Sequence, residues 1–200
     1  MSKVSIINID DSITKSFIKN ENEFINYVSA YYNEIVPVGD DYIPASSANS
    51  NIKTQINGAV LSIYYEMNID LDGELFENST RSYFTTLNVD LGTERALSTD
   101  DLLNKYNYTK KYIAEKIFEE DVLIDNNEVV IDKNTNLSYT KSDIIRKKEE
   151  YISRIVDDFD NIIKVYIDNN YLTIVYDKKE LKNMFFDNNF NTEIKIRYLK

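Results

Sequence analysis

Apolar and polar residues alternate along residues 83–91, and this alternation predicts a β-strand whose side chains point to its two faces in turn. One face carries three apolar residues: Leu87, Val89 and Leu91. Gly92-Thr93 then ends the strand, since glycine accepts the backbone angles that a tight turn needs. The run Ser98-Thr99-Asp100-Asp101 predicts a helix start, because a hydroxyl accepts hydrogen bonds from the first free amides and acids favour the positive helix end.

The sequence predicts two hairpins, and residues 83–91 belong to the first of them. Residues 52–71 are strand-like. Within and after them, long antiparallel strands are expected at about residues 59–70 and 81–91, joined by a turn at Asp72-Gly73. A second hairpin is expected over residues 163–177, because Asn169-Asn170 tolerates the left-handed angles of a two-residue turn.

The remaining strand and loop predictions are short. Residues 126–131 and 192–199 each predict one strand, and Ile194, Ile196 and Tyr198 alternate with polar residues in the second. Residues 37–51 contain Pro, Gly, Ser and Asn and predict a flexible loop.

Apolar residues at helical spacing predict helices over residues 20–36, about 102–120 and 139–159. Asn107 and Thr109 offer a second helix start within residues 102–120. The third pattern is the strongest, and we expect Thr140 or Ser142 to cap its start. Its core-facing side has eight expected members: Ile144, Ile145, Lys148, Tyr151, Ile152, Ile155, Val156 and Phe159. Residues 178–186 predict a short helix or a wide loop.

Together these elements predict an α+β fold in which a twisted, mostly antiparallel sheet is covered by two or three helices. We expect residues 1–51 to supply an N-terminal strand, helix and loop, and residues 52–200 to form the sheet domain. A chain of 200 residues is long enough for both parts to share one compact unit.

The charge of the chain narrows the range of partners. Its 34 acidic residues outnumber 23 basic ones, which gives a net charge of -11. A surface this acidic repels nucleic-acid phosphates and anionic lipid, so neither is an expected partner. It attracts cations, and a basic protein therefore fits the charge.

Cysteine, histidine and tryptophan are absent, which excludes disulfides and thiolate metal sites. No apolar run approaches the ~20 residues of a membrane span, and Met1-Ser2-Lys3 leads into no signal-peptide core. We therefore expect either a cytosolic protein or a mature ectodomain from which an export segment has been removed.

The residues for nucleophilic catalysis are missing. Without His or Cys, a Ser-His or Cys-His pair is impossible, and no glycine-rich phosphate loop occurs. Only acidic runs remain as acid and base candidates: Asp100-Asp101, Glu119-Glu120-Asp121, Glu149-Glu150 and Asp157-Asp158-Asp160. Because such runs usually lie on solvated helix ends and faces, we expect no catalytic residue, no cofactor site and no enzyme activity.

One segment has the oxygen spacing of a calcium-binding loop. Asp132, Asn134 and Asn136 occupy positions 1, 3 and 5, and Asp143 occupies position 12. Leu137 replaces the glycine of such loops, and Asp143 is shorter than the glutamate that binds calcium through both oxygens. The competing interpretation is an Asn-rich hairpin turn followed by a helix cap, and we predict no metal site.

Tyrosines supply a candidate binding surface. Tyr27 and Tyr31 lie on the apolar side of the helix expected at residues 20–36, and Tyr64 lies in an expected strand. Tyrosines in such a stripe either bind a partner or face the core with their hydroxyls at the rim. Whichever of the three are exposed would contribute to an acidic, tyrosine-rich surface.

Two runs of the chain carry a family resemblance: LNVDLGTERALSTDDLL at residues 87–103 and VYDKKEL at residues 175–181. They resemble the bacterial extracytoplasmic domains found in the ectodomains of lysozyme-sensing anti-sigma factors and ahead of some peptidoglycan deacetylase domains. That family's strand ends in D-x-x-T-G-K-x-L-T-L-x-D-L, which six residues match with the glycine and threonine inverted: Asp90, Thr93, Leu97, Thr99, Asp101 and Leu102. The second run is similar to the family's F-D-x-Y-E-(I/L) run after its late hairpin, and the resemblance covers about residues 55–198.

The resemblance implies a non-enzymatic sensing or binding domain of the Gram-positive cell envelope, located outside the cytoplasm. Its ligand would be a basic protein such as lysozyme, or cell-wall glycan such as peptidoglycan. The alternative is an acidic cytosolic partner protein of the immunity or inhibitor type, which would neutralise a basic toxin. An export signal upstream of residue 1 would favour the first interpretation, and a native start at Met1 the second.

Overall fold

The computed structural model describes residues 46–71, 79–188, 190 and 193–199. Its described part contains six α-helices and three antiparallel sheets, which confirms the α+β prediction. The chain divides into two compact units: Met1–Leu97 with Tyr166–Asn169, and Ser98–Val165 with Asn170–Lys200. Residue 51, the boundary expected from the sequence, belongs to the strand Ser46–Asn57.

The sheet of the first unit has four strands in the order β1-β2-β3-β4: β1 (Ser46–Asn57), β2 (Val60–Leu71), β3 (Ser79–Asp90) and β4 (Arg95–Ala96). The antiparallel pairing of β2 with β3 confirms the two long strands expected from the sequence. Gly58, with a left-handed φ of 57°, lies in the turn between β1 and β2. The helix expected at residues 20–36 and the turn at Asp72-Gly73 lie outside the described residues.

The loop predicted over residues 37–51 is wrong for its last part, because residues 46–51 belong to β1. In the part of the chain that the structure describes, β1 lies at the edge of its sheet, and its residues 49–54 are exposed, so polar side chains suit both of its faces. Its backbone pairs with β2, and Asn49 lies opposite Asn68. Backbone pairing therefore forms the strand where side-chain alternation gives no signal.

The turn after β3 depends on Asp90 as well as on glycine. The Asp90 Oδ1 atom accepts hydrogen bonds from the amides of Gly92 and Thr93 at 2.9 and 3.0 Å. The left-handed residue of this turn is Glu94, with φ 56°, and the expectation that Gly92 supplies these angles is wrong. A Cβ at position 92 would lie 3.3 Å from Asp90 Oδ1, so the turn uses the small size of the glycine.

The predicted cap begins α1 (Thr99–Lys105). Ser98 Oγ accepts a hydrogen bond from the Asp101 amide at 3.1 Å, and the Asp101 carboxylate accepts one from the Ser98 amide at 3.3 Å. Thr109 caps α2 (Lys110–Ile117) by accepting from the Tyr112 amide at 3.2 Å. One wider, π-helical turn, Phe118–Val122, follows α2.

The helix expected over residues 139–159 is divided into three: α3 (Lys141–Arg146), α4 (Lys148–Asp157) and α5 (Phe159–Ile162). Thr140 caps the first of them, and its amide donates to the Asp143 carboxylate at 2.8 Å. None of the described helices is long and apolar enough to cross a membrane.

Two residues interrupt this run, Lys147 and Asp158, with φ of -100° and -105°. Tyr151, on the predicted core-facing side of α4, is buried. Ile145, which precedes the first interruption, is 50 % exposed, so the prediction that it faces the core is wrong. The buried residues nevertheless keep helical spacing across the interruptions, since Ile144, Ile155 and Phe159 are buried as predicted.

The sheet at the end of the chain has three strands in the order β7-β8-β9: β7 (Ile163–Asp168), β8 (Tyr171–Asp177) and β9 (Ile194–Leu199). Asn169 and Asn170 have φ of 48° and 69°, which confirms the predicted two-residue turn. The short helix α6 (Lys178–Asn183) follows β8. A separate hairpin pairs β5 (Val130–Ile131) with β6 (Ser138–Tyr139), so the strand expected at residues 126–131 is shorter than predicted.

β9 confirms the strand predicted at residues 192–199, and part of its alternating apolar set is exposed. Ile196 and Tyr198 are 40 and 54 % exposed. Lys195 and Arg197 are more enclosed, and both form ion pairs with carboxylates of the second unit. The pattern fails here because the inward face of this strand is charged.

The core of the first unit contains a stacked pair of tyrosines, Tyr64 and Tyr166, whose ring centroids are 4.7 Å apart. Next to this apolar core lies a buried polar group. The Ser62 hydroxyl donates to Asn88 Oδ1 at 2.6 Å and accepts a hydrogen bond from the Ile167 amide at 3.1 Å. Because these groups bond to one another, their burial stabilises the fold without leaving an unpaired hydroxyl.

The predicted apolar face of β3 is only partly confirmed. Val89 is fully buried, whereas Leu87 is half-buried and Leu91 is exposed. The opposite face also contributes buried residues, Phe84 and Asn88, so this strand buries parts of both faces.

We expect Val89→Ala to lower the free energy of unfolding by about 2 kcal/mol, because it removes buried carbon and leaves a small cavity. Leu87→Ala should lower it by about 1 kcal/mol, since much of the leucine side chain already contacts water. Urea denaturation of the two variants measures both losses. A larger loss for Leu87→Ala than for Val89→Ala would contradict the deeper burial of Val89.

Candidate functional site

Asp121 is a carboxylate with 4 % of its side chain exposed. It lies in the π-helical turn after α2, where the Leu123 amide donates to the Phe118 carbonyl at 3.0 Å. Phe118 and Val122, in the same turn, are buried with it. The expectation that the run Glu119-Glu120-Asp121 is solvated is therefore wrong for its last member.

Four donors from three elements surround the Asp121 carboxylate. The hydroxyl of Tyr176 on β8 and the guanidinium of Arg197 on β9 both donate to Oδ2. Lys178, at the start of α6, and Lys195 on β9 place their Nζ atoms 3.5 and 4.0 Å from Oδ1. Arg197 also donates through Nε to the Tyr176 hydroxyl at 2.7 Å, so the donors bond to one another as well.

Two further carboxylates balance these cations. Arg197 donates to Glu120, and Lys195 Nζ lies 2.5 Å from a carboxylate oxygen of Glu193. Lys178 Nζ lies 3.5 Å from the other oxygen of Glu193. We call this set the Asp121 network: Glu120, Asp121, Tyr176, Lys178, Glu193, Lys195 and Arg197. Its three carboxylates match its three basic groups, so it carries no net charge.

Burial by itself would raise the pKa of the Asp121 carboxyl, but hydrogen bonds from Tyr176 and Arg197 and the nearby cations lower it overall. Burial and the hydrogen bond to Asp121 raise the pKa of the Tyr176 hydroxyl. Burial would lower the pKa of Arg197, but its hydrogen bonds to Glu120 and Tyr176 raise it. None of these three pKa values is moved toward neutrality, whereas an acid or base catalyst at pH 7 needs such a shift.

The other acidic runs lie at the surface and form ion pairs with lysines, as solvated helix ends do. Asp100 and Asp160 both pair with Lys110, at 3.2 and 2.9 Å. Longer exposed pairs join Glu149 to Lys111 and Glu150 to Lys147. Exposed pairs of this kind contribute little to stability.

The segment with the oxygen spacing of a calcium loop forms the turn of the β5–β6 hairpin and a helix cap. Asp132 Oδ1 accepts hydrogen bonds from the Asn134 amide and from both the amide and the hydroxyl of Thr135. Its other oxygen accepts one from the Tyr151 hydroxyl at 3.4 Å. Asp143 caps α3, away from this turn in the chain. No group of three or more acids with metal-binding geometry occurs among the described residues.

A cavity of about 200 Å³ opens between α2 and the strands β8 and β9. Its floor is apolar: Ile113 and Ile117 from α2, Ile174 from β8 and Leu199 from β9. Its rim is aromatic and charged: Tyr112, Lys116, Glu120, Arg197 and Tyr198. We call this cavity with its rim the α2–β9 groove. Glu120 and Arg197 belong to both the groove and the Asp121 network.

Exposed tyrosines lie at both sides of the groove. Tyr112 on α2 is 42 % exposed and packs against Tyr108, with ring centroids 5.7 Å apart. Tyr198 on β9 packs edge-on against Tyr171 at 6.0 Å. Such side chains supply contact area at small entropic cost, and they are frequent at protein interfaces.

This surface replaces the tyrosines proposed from the sequence. Tyr64 is buried in the first unit and is not part of a binding surface. Tyr27 and Tyr31 lie outside the described residues. The sequence does contain a signal that Tyr198 could be exposed. Lys195 and Arg197 alternate with Ile196 and Tyr198, and this basic pair would face inward if a buried carboxylate lay opposite it.

Compared with known proteins, the chain matches no family model and no curated protein. The resemblance to the extracytoplasmic domains of anti-sigma factors therefore stays a prediction that rests on its own two sequence runs.

We expect Asp121→Asn to lower the free energy of unfolding by about 3 kcal/mol at pH 7, because it removes the buried charge around which Lys178, Lys195 and Arg197 are arranged. Glu120→Gln, a matched change at an exposed member of the network, should cost less than about 1 kcal/mol. Because the folded pKa of Asp121 lies below its unfolded value of about 3.9, its contribution is complete above that pH and disappears as the pH falls through the folded pKa. In denaturation experiments from pH 7 to pH 2, the stabilities of the unchanged protein and of the Asp121→Asn variant should therefore converge as the pH falls. A difference that does not change with pH would contradict an ionised, buried Asp121.

Proposed function

We propose that this chain is a non-enzymatic binding domain of the bacterial cell envelope, and that it binds a basic protein of the lysozyme type. The observation that carries the proposal is the α2–β9 groove, where exposed tyrosines flank an apolar floor above a charge-balanced network. A groove of this composition provides contact area and a pocket for a partner. The neighbouring Asp121 network offers fixed ion pairs and hydrogen bonds, which suit a rigid binding surface better than a proton-transfer site.

The charge of the chain supports a basic partner. With a net charge of -11, the protein attracts a cation over a range set by the ionic strength. Exposed acids close to the groove, Glu119 and Glu120, add to this attraction at the entrance of the cavity, although each is already paired with a lysine or arginine. The long-range field therefore steers the partner, and the tyrosines and apolar floor provide the contact.

The family resemblance supports the location and the kind of ligand. It implies an extracytoplasmic domain that binds lysozyme or wall glycan, and the acidic charge favours the protein over the glycan. The cytosolic immunity-type alternative shares the preference for a basic partner and differs from the proposal only in compartment. The parent open reading frame distinguishes the two through an export signal upstream of residue 1.

Titration of the purified domain with lysozyme, followed by calorimetry, should give saturable heat at low salt. Raising the salt from about 20 to about 150 mM should weaken binding by roughly tenfold, because screening shortens the electrostatic attraction. Lysozyme with acetylated lysines is the matched control, since it keeps the fold and loses most of the positive charge; it should bind far more weakly.

Absence of heat at both salt concentrations, with the domain folded by circular dichroism, would remove lysozyme as the partner. Heat that is unaffected by acetylation would contradict the role of charge. Purified peptidoglycan, tested by co-sedimentation, is the glycan arm of the same experiment, and binding there without lysozyme binding would replace the protein ligand with a wall ligand.

A further inference from the structure

Among the described residues, β9 is one of the two edge strands of its sheet. It pairs with β8 on one side, and its other side pairs with no strand among the described residues. An edge strand of this kind presents a row of backbone donors and acceptors that another extended chain can bind.

The α2–β9 groove lies beside this edge. Side chains of a β-strand alternate between faces, so an additional strand next to β9 would direct every second side chain toward α2. The cavity at that place has an apolar floor formed by Ile117, Ile174 and Leu199, and Tyr112 and Tyr198 at its rim. An apolar side chain of the added strand matches this lining.

The charges of β9 do not protect its edge against such pairing. Inward-pointing charges discourage edge pairing when burial would leave them without a partner. Lys195 and Arg197 already have carboxylate partners in Asp121, Glu120 and Glu193. Ile196 and Tyr198, the exposed residues of the strand, carry no charge.

We propose that β9 binds an extended, basic segment of a partner protein as a fourth strand of this sheet, with one apolar side chain of that segment in the α2–β9 groove. The proposal rests on the proposed function and names its mode of recognition. A second copy of this chain does not fit as the occupant, because it carries the same charge of -11 and repels the first. A basic segment is attracted by that charge and supplies backbone groups for the edge of β9.

The probe is a fluorescein-labelled heptapeptide, Lys-Thr-Lys-Leu-Lys-Thr-Lys, in which the leucine and threonines share one face of an extended chain. Fluorescence anisotropy at low salt should show saturable binding, and replacement of the leucine by alanine should weaken it by roughly tenfold or more, because buried carbon is lost. Tyr112→Ala and Tyr198→Ala should weaken binding of the leucine peptide several-fold. Ile145→Ala, a matched change at an exposed apolar residue of α3, should leave it unchanged.

Backbone pairing is tested with two N-methylated forms of the same peptide. One carries methyl groups on the amides of residues 2, 4 and 6, and the other on those of residues 3 and 5. An extended strand directs alternate amides to opposite sides, so one form should lose binding and the other should keep it.

Equal binding of the two methylated forms, or no binding of the leucine peptide, would overturn strand addition. Lysozyme titration separates this failure from failure of the proposed function. Lysozyme binding that is unchanged in Tyr112→Ala and Tyr198→Ala, together with a failed peptide test, would contradict the mode of recognition and leave the proposed function standing. Peptide binding as expected without lysozyme binding would contradict the proposed partner alone.

Discussion

Asp121 must be surrounded by donors, because a carboxylate with 4 % of its surface exposed has lost nearly all of its water. The π-helical turn after α2 places it there, and β8, β9 and α6 each supply at least one donor. These elements come from distant parts of the chain, so one buried charge fixes the relative positions of a helix end, two strands and a second helix start. The orientation of β9 and the α2–β9 groove follow from that requirement.

The orientation of β9 is the first consequence. Arg197 and Lys195 face the carboxylates, and the alternation of the strand then places Ile196 and Tyr198 at the surface. The second consequence is the α2–β9 groove, since Arg197 and Glu120 form one part of its rim while bonded to each other. A surface built in this way is fixed, partly apolar and surrounded by paired charges. It suits recognition of a partner, which is the basis of the proposed function and of strand addition at β9.

Local signals in the sequence predict much of this fold. The Ser98 cap, the Asn169-Asn170 turn and the β2–β3 hairpin follow from short-range chemistry, and the structure contains all three. The apolar spacing around Tyr151 predicts a buried helix face, although it does not predict the interruption at Lys147. Hydrophobic periodicity and helix caps depend on residues only a few positions apart, so both can be identified from a single sequence.

The groove and the network could not be predicted in the same way. Asp121 stands in an acidic run that resembles any solvated helix end, and its burial depends on Arg197, which lies far away in the chain. β9 has two alternating sets, one apolar and one basic, and only the position of Asp121 decides which set faces inward. Residues 46–51 of β1 show no apolar alternation, and the strand forms there through backbone pairing with β2. In each case a distant contact determines the outcome, and the local pattern alone does not contain it.

Hydrogen exchange of the backbone amides of residues 194–199, measured by mass spectrometry, tests most directly whether the Asp121 network fixes β9 at the edge of its sheet. The account predicts that Asp121→Asn accelerates exchange in β9 while the amides of β2 and β3, in the first unit, exchange at the rate of the unchanged protein. The matched variant Glu120→Gln should alter exchange in β9 much less. Unchanged exchange in β9 of a folded Asp121→Asn protein would contradict the account, because the strand would then keep its place without the buried charge.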